Sequence, residues 1–255
     1  MFERPRTDLK PNTAAFEMVP LITPNGFREY DARWRFPEEI NALGFQALGL
    51  GLGTYLHERG VKPKIVVGHD YRSYSLSLKQ ALTVGLLSAG CEVLDIGLAL
   101  SPTAYFAQFA LDCPAVAMVT ASHNENGWSG VKMGCERPLT FGPDEMTRLK
   151  EIVLNAELRP RGGGNYTFIS DIRQRYIADI ARRLKLTRPL KVVAACGNGT
   201  AGWFAPDLLE AVGAKVVRLD CELDYNFPRY NPNPEDMAML HAIAETVKRE
   251  KADIG

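Results

Sequence analysis

The sequence predicts an α/β protein, on three observations. Before residue 120, short apolar runs rich in β-branched residues alternate with stretches of helical periodicity in the order strand, helix, strand, helix, strand. The second half opens with another strand, a glycine-rich turn, a helix and a strand. Between the halves, Arg161-Gly162-Gly163-Gly164 separates two helical patterns and reads as a linker or hinge. The predicted domains are therefore 1–163 and 164–255. A chain of 255 residues, 46% hydrophobic, suffices for two domains with real cores.

Residues 1–20 carry Pro5, Pro11 and Pro20 with little periodicity and read as a loose arm. Phe27-Arg28-Glu29-Tyr30-Asp31-Ala32-Arg33 reads as a charged strand edge or turn. Pro37–His57 is predicted to be a helix, with proline and two glutamates in its first turn. Strand Lys64–Gly68 ends in the loop His69-Asp70-Tyr71-Arg72, where Asp70 and Arg72 read as a structural pair and His69 as a surface histidine. Helix 75–89 closes at Gly90. Strand 91–96, helix 101–111 and strand 115–119 follow, and after a polar loop comes helix 143–156, with Leu149, Ile152 and Val153 as its apolar stripe. The second half reads as helix 170–184, strand 190–195, helix 203–212, strand 215–219 and helix 236–251. A strand begins at Ala252-Asp253-Ile254-Gly255.

Thirty basic residues balance thirty acidic ones, so no net field draws the chain to nucleic acid or to a membrane. An anionic substrate would have to be held by locally placed cations. Five widely spaced cysteines without a CxxC point to thiols, a cytoplasmic protein and no zinc site. The charged N-terminus is no signal peptide. The longest uncharged stretch, Ile40–Leu56, is short for a membrane span and holds four glycines, as a packed helix would.

The chemistry gathers after the strand 115–119, in Thr120-Ala121-Ser122-His123-Asn124-Glu125-Asn126-Gly127 and on to Lys132. A hydroxyl, an imidazole, an amide and a lysine are delivered at a strand's carboxyl end, where open α/β sheets bind ligands. Two readings stand: a polar turn capping neighbouring backbone, or a nucleophilic serine beside phosphate-binding donors. If the segment is extended, Ser122 and His123 point to opposite sides and form no dyad. The hydroxyl would then need a metal ion, or a phosphate already attached.

This loop resembles that of the α-D-phosphohexomutases, whose phosphoserine segment runs T-A-S-H-N-P and then N-G-x-K. Here Glu125 replaces the proline and Ser129 the asparagine. Residues 27–33 resemble the family's F-R-E-Y-D-I-R-G, with Ala32 for isoleucine and Trp34 for glycine. The phosphoglucosamine branch tends to read F-G-T-D-G-x-R-G there, so the resemblance favours mannose or glucose. Residues 67–72 resemble V-G-x-D-x-R. The resemblance implies two consecutive αβα layered domains with mixed sheets, and a phosphate carried on Ser122. It implies Arg33 at that phosphate, with the planar fork suited to its oxygens, and Tyr30 lining the site. His123 and Asn124 would donate to phosphate or substrate, and Lys132 would serve as proton carrier or electrostatic partner of the sugar hydroxyl. The expected reaction moves phosphate between O1 and O6 of a hexose phosphate, through a hexose 1,6-bisphosphate and with Mg²⁺. Ser122 would touch the metal only through its phosphate. The three aspartate ligands are expected beyond Gly255, in a C-terminal half that would also supply sugar selection, so residues 1–255 are expected to be inactive alone.

Two alternatives remain. Gly197-Asn198-Gly199-Thr200-Ala201-Gly202 is literally G-x-G-x-x-G between a strand and a helix, with Asp220 placed for a ribose, which suggests a nucleotide-dependent oxidoreductase. Against it, the chain then enters the loop residues 221–234 instead of further βα units. The same stretch resembles the mutases' second domain, where a strand ends in C-G-N-G. The other alternative is a half-length, non-catalytic relative acting as a binding module.

Overall fold

The computed structural model describes residues 3–255. The chain divides into two compact units. The first comprises the residues up to Asp70, 74–121 and 127–170; the second comprises 71–73, 122–126 and 171–255. The glycines at 162–164 thus lead into one more strand of the first unit, and the passage to the second lies at Ser170.

In the first unit the arm contains a short helix, α1 (Ala14–Met18), capped by Thr13, whose hydroxyl accepts from the Phe16 amide. Strand β1 (Ala32–Arg35) follows. Helix α2 (Ala42–Glu58) begins later than Pro37 because Asn41 is its cap. The buried Asn41 Oδ1 accepts from the amides of Gly44 at 2.8 Å and Leu21 at 2.9 Å, and its Nδ2 donates to the carbonyls of Phe16 and Val19. One side chain thus starts the helix and ties down the arm. Then come β2 (Lys64–His69), α3 (Ser75–Ser88), β3 (Glu92–Leu98), α4 (Ser101–Ala110), β4 (Ala115–Val119), β5 (Trp128–Gly134), α5 (Pro143–Leu154) and β6 (Asn165–Phe168).

These strands form one mixed sheet in the order β1-β5-β4-β2-β3-β6. Strands β2, β3, β4 and β6 run parallel, and β5 is antiparallel to both β4 and β1. One face, with Ile65, Val67, Val93, Ala117 and Val131, packs with Leu48, Leu52, Leu82, Leu86, Leu149 and Ile152 of α2, α3 and α5. The alternate residues Val66, Val116 and Met118 face the other way by the strand's two-residue period, and α4 packs on β2 and β4 with Ala104 and Ala107 buried. The unit is an αβα sandwich. Helices α2 and α3 cross at glycines: a Cβ on Gly49 would lie 2.1 Å from the Leu82 carbonyl oxygen, and one on Gly85 would lie 2.0 Å from that of Gln46. Lys79 of α3 is buried against Asp95 of β3, whose carboxylate also accepts from the Tyr166 hydroxyl of β6. Burial, then that contact, pushes the Tyr166 phenol up to about 12.

The second unit holds α6 (Ile172–Arg183), β7 (Lys191–Ala195), α7 (Ala205–Ala211), β8 (Lys215–Leu219) and α8 (Met237–Glu250). Strands β7 and β8 are parallel, and Ile254 bridges Val192 on the other side of β7, also in parallel. Helix α7 starts at Ala205, after a tight turn over Thr200–Trp203. Helix α6 packs on α7, α7 on β8, and α8 on both strands. Asp236 caps α8 by accepting from the amides of Ala238 and Met239. Among the described residues no helix is long and apolar enough to cross a membrane.

Candidate phosphoryl-transfer site

The strand that delivers the serine is wholly buried, and the loop that leaves it is held at two anchors. The first is Asp70, just past the end of β2. Its buried carboxylate accepts from the hydroxyls of Thr120 at 2.7 Å and Ser75 at 2.6 Å, and from the Ala121 amide at 3.4 Å. The Asp70 amide in turn donates to the Val119 carbonyl at 3.0 Å. The second anchor is Arg72, whose Nη2 donates to the carbonyls of Ser122 at 3.2 Å and Asn124 at 2.6 Å. Asp70 and Arg72, read from sequence as a mutual structural pair, both act on the serine loop.

Ser122 is exposed and has φ 56°, a left-handed backbone in which serine is strained. This corrects the expectation of an extended segment. The left-handed turn brings Ser122 Oγ and His123 Nδ1 to 3.5 Å, the long limit of a hydrogen bond, instead of sending them to opposite sides. The loop is further held by Asn231, whose Nδ2 donates to the His123 carbonyl at 2.7 Å, and by Asn126, whose Nδ2 donates to the Tyr225 carbonyl at 2.6 Å. Neither of those partners was singled out in the sequence. Both lie about a hundred residues on, beyond the reach of any local pattern.

Lys132 stands on β5, within what composition reads as loop. Pairing of Arg33 with Gly130 puts Arg33 and Lys132 on the same face of the sheet. Asp31 joins them, at 2.8 Å from Arg33 Nη2 and 3.9 Å from Lys132 Nζ. Gly130 is required between them, because a Cβ there would lie 2.0 Å from the Ala32 carbonyl oxygen. Arg33 Nη1 also donates to the carbonyl of Ala121, the residue before Ser122, at 3.3 Å. Tyr30 is 62% exposed. The structure therefore brings the predicted residues together in two sets: Arg33 with Lys132 on Asp31, and Ser122, His123 and Asn124 with Arg72. Asp31 and Arg72 are the members that sequence reasoning left without a site role. His69 is not a surface residue; it ends β2 half-buried, and burial holds its imidazole below the usual range.

The glycine-rich stretch is not an open phosphate cradle. A Cβ on Gly197 or Gly199 would meet Pro232, and one on Gly202 would lie 1.9 Å from the Cys221 carbonyl oxygen. These glycines admit protein to close packing. Asp220 is likewise engaged, accepting from the Tyr230 hydroxyl and, at 3.1 Å, from Arg229.

A strained, exposed serine just past a strand end, with an arginine on its own carbonyl, suits covalent group carriage on oxygen. The chain belongs to the phosphoglucomutase/phosphomannomutase family: the model of its α/β/α domain I matches residues 24–160 and that of domain II residues 168–255. It is 34% identical over 237 residues to a phosphomannomutase/phosphoglucomutase of Pseudomonas aeruginosa, covering 93% of this chain and 50% of that protein. It is also 34% identical over 211 residues to a Pyrococcus abyssi protein named "Probable phosphoglucosamine mutase", covering 82% of this chain and 45% of that one. The crystal structure of a phosphoglucomutase/phosphomannomutase family protein from Burkholderia thailandensis superposes with a TM-score of 0.85 at 31% identity, over 91% of this chain and 52% of that one. The chain spans about half the length of these relatives.

Proposed function

We propose that this chain is the phosphate-carrying half of a phosphohexomutase interconverting hexose 1-phosphate and hexose 6-phosphate, with mannose or glucose as the sugar. The observation that carries the reading is Ser122 itself: its hydroxyl is exposed on a left-handed backbone between the Asp70 and Arg72 anchors. In the proposed cycle the Oγ–P bond of phosphorylated Ser122 breaks as the P–O bond to a sugar hydroxyl forms. The hydroxyl proton ends on the Ser122 Oγ that is released, with Lys132 as proton carrier or electrostatic partner of the sugar hydroxyl. The resulting hexose 1,6-bisphosphate turns over and returns its other phosphate to Ser122. Arg33 and the donors of His123 and Asn124 offset the phosphate charge, as expected of a reaction that depends on positioning and electrostatics.

Among the described residues, no group of three or more His, Cys, Asp or Glu side chains is arranged to hold a metal ion. The Mg²⁺ of the proposal therefore does not fit a site made by this chain, and no step here is routed through it. Its carboxylate ligands and the sugar-selecting surface are assigned to the part of the full-length relatives that this chain does not span. The test is a turnover assay with glucose 1-phosphate, Mg²⁺ and a trace of glucose 1,6-bisphosphate. A longer gene product carrying this chain is expected to form glucose 6-phosphate, while residues 1–255 alone fold and give no turnover above background. Appreciable turnover by the 255-residue chain would overturn the assignment of essential groups elsewhere.

A further inference from the structure

Two thiols in the second unit lie in contact, and the proposed mutase chemistry does not use them. Cys196 follows β7, and Cys221 stands just past the end of β8. The Cys196 amide donates to the Leu219 carbonyl at 3.2 Å, so the ladder of the two strands continues to the cysteines and fixes their relative place. Their sulfurs are 3.5 Å apart. Closing this to the roughly 2 Å of a disulfide takes about 1.5 Å of movement. That movement falls on the side chains, because the Cys221 backbone is packed directly on Gly202.

The two thiols are not equivalent. Cys196 is buried. Cys221 is half-buried and lines an open pocket of about 350 Å³ with Asn198, Arg218, Asp220 and Glu222. The Cys196 contact sets the Cys221 thiol below the usual range against burial, with the Arg218 guanidinium helping and Asp220 opposing; the same contact and burial hold Cys196 well above it. The other three cysteines are buried, and burial raises Cys91 to about 12, Cys113 to about 11 and Cys135 in the same direction.

We infer that Cys196 and Cys221 form an oxidisable dithiol, in which a peroxide oxidises Cys221 and Cys196 closes the disulfide. The Cys221 thiolate attacks one oxygen of hydrogen peroxide. The O–O bond breaks, leaving a sulfenic acid and a hydroxide that is protonated to water. The Cys196 sulfur then attacks the Cys221 sulfur. The S–O bond breaks, and the departing hydroxide takes the Cys196 proton as a second water. Two thiols lose two electrons, and one peroxide gains them. A small dithiol reverses the bond by exchange.

The experiment treats the native 255-residue chain with about one equivalent of hydrogen peroxide, then denatures it in N-ethylmaleimide and maps the peptides. The expected product is a cross-linked Cys196–Cys221 peptide pair, lighter by about 2 Da than the two thiol peptides and separated by dithiothreitol, with Cys91, Cys113 and Cys135 still labelled as thiols. In Cys196→Ser, dimedone is expected to trap Cys221 as its sulfenic acid. The wild-type map decides the matter even if that variant does not fold. Cys196 and Cys221 both labelled as thiols while another cysteine oxidises, or a dimedone adduct on Cys221 of the wild-type chain with no cross-link, would overturn the inference.

Discussion

On the proposed function, replacing Ser122 by Gly is expected to lower kcat/KM for hexose phosphate by about 10⁴-fold or more, because the oxygen proposed to carry the phosphate is gone. The same change should leave the fold intact or firmer. Ser122 is exposed and sits at φ 56°, where a residue with a Cβ is strained and glycine is not. Relief of that strain is worth about 1 kcal/mol. Ser122→Ala is expected to be as inactive as the glycine variant but no more stable, since alanine keeps the Cβ. The pair separates chemistry from conformation: a thermal melt reads the backbone, and a turnover assay reads the hydroxyl. Activity within tenfold of wild type in a folded Ser122→Gly protein would remove Ser122 from the mechanism.

The largest effect on stability is expected at Lys79. Its side chain is 3% exposed and its partner Asp95 is 0% exposed. The Asp95 carboxylate also accepts from the Tyr166 hydroxyl and the Gly97 amide, each at 2.8 Å. Lys79→Met fills the space with an apolar chain of similar length and leaves the carboxylate buried without its cation. Breaking such a pair costs about 3–5 kcal/mol, a large part of the roughly 5–15 kcal/mol that holds a domain folded. Adding Asp95→Asn to Lys79→Met should recover part of the loss, since the amide removes the charge and still has an oxygen for the Gly97 amide. Urea unfolding of the single and double variants measures both terms. A loss below about 1 kcal/mol in Lys79→Met would show that the ion pair contributes little net stability, as exposed pairs do.

How much of this was legible in the sequence depended on whether the signal was local. Strands β2, β3 and β4 announce themselves because their residues are apolar and buried on both faces. Strand β5 does not. Gly130 and Lys132 read as loop, yet Gly130 is needed where β1 pairs close, and Lys132 shares a sheet face with Arg33. Strand β6 is an edge strand with every residue exposed, so no alternation of polarity marks it. The start of α2 was misplaced at Pro37 because a proline and two acids look like a first turn, while the true cap, Asn41, draws on partners far back in the arm. The serine loop stood out by its residue types. Its geometry did not, because the loop is held at Thr120 by Asp70 and at the Ser122 carbonyl by Arg72, some fifty residues earlier. The contact of Cys196 with Cys221 likewise depends on the pairing of two strands.

The proposal that Ser122 carries the phosphoryl group is tested most directly by phosphopeptide mapping of the native protein. A single phosphate, an increment of about 80 Da, is expected on the peptide containing Ser122. It should be removed by excess hexose monophosphate and restored by hexose 1,6-bisphosphate. Unmodified Ser122 before and after the bisphosphate, in a preparation that turns over hexose phosphate, would contradict it.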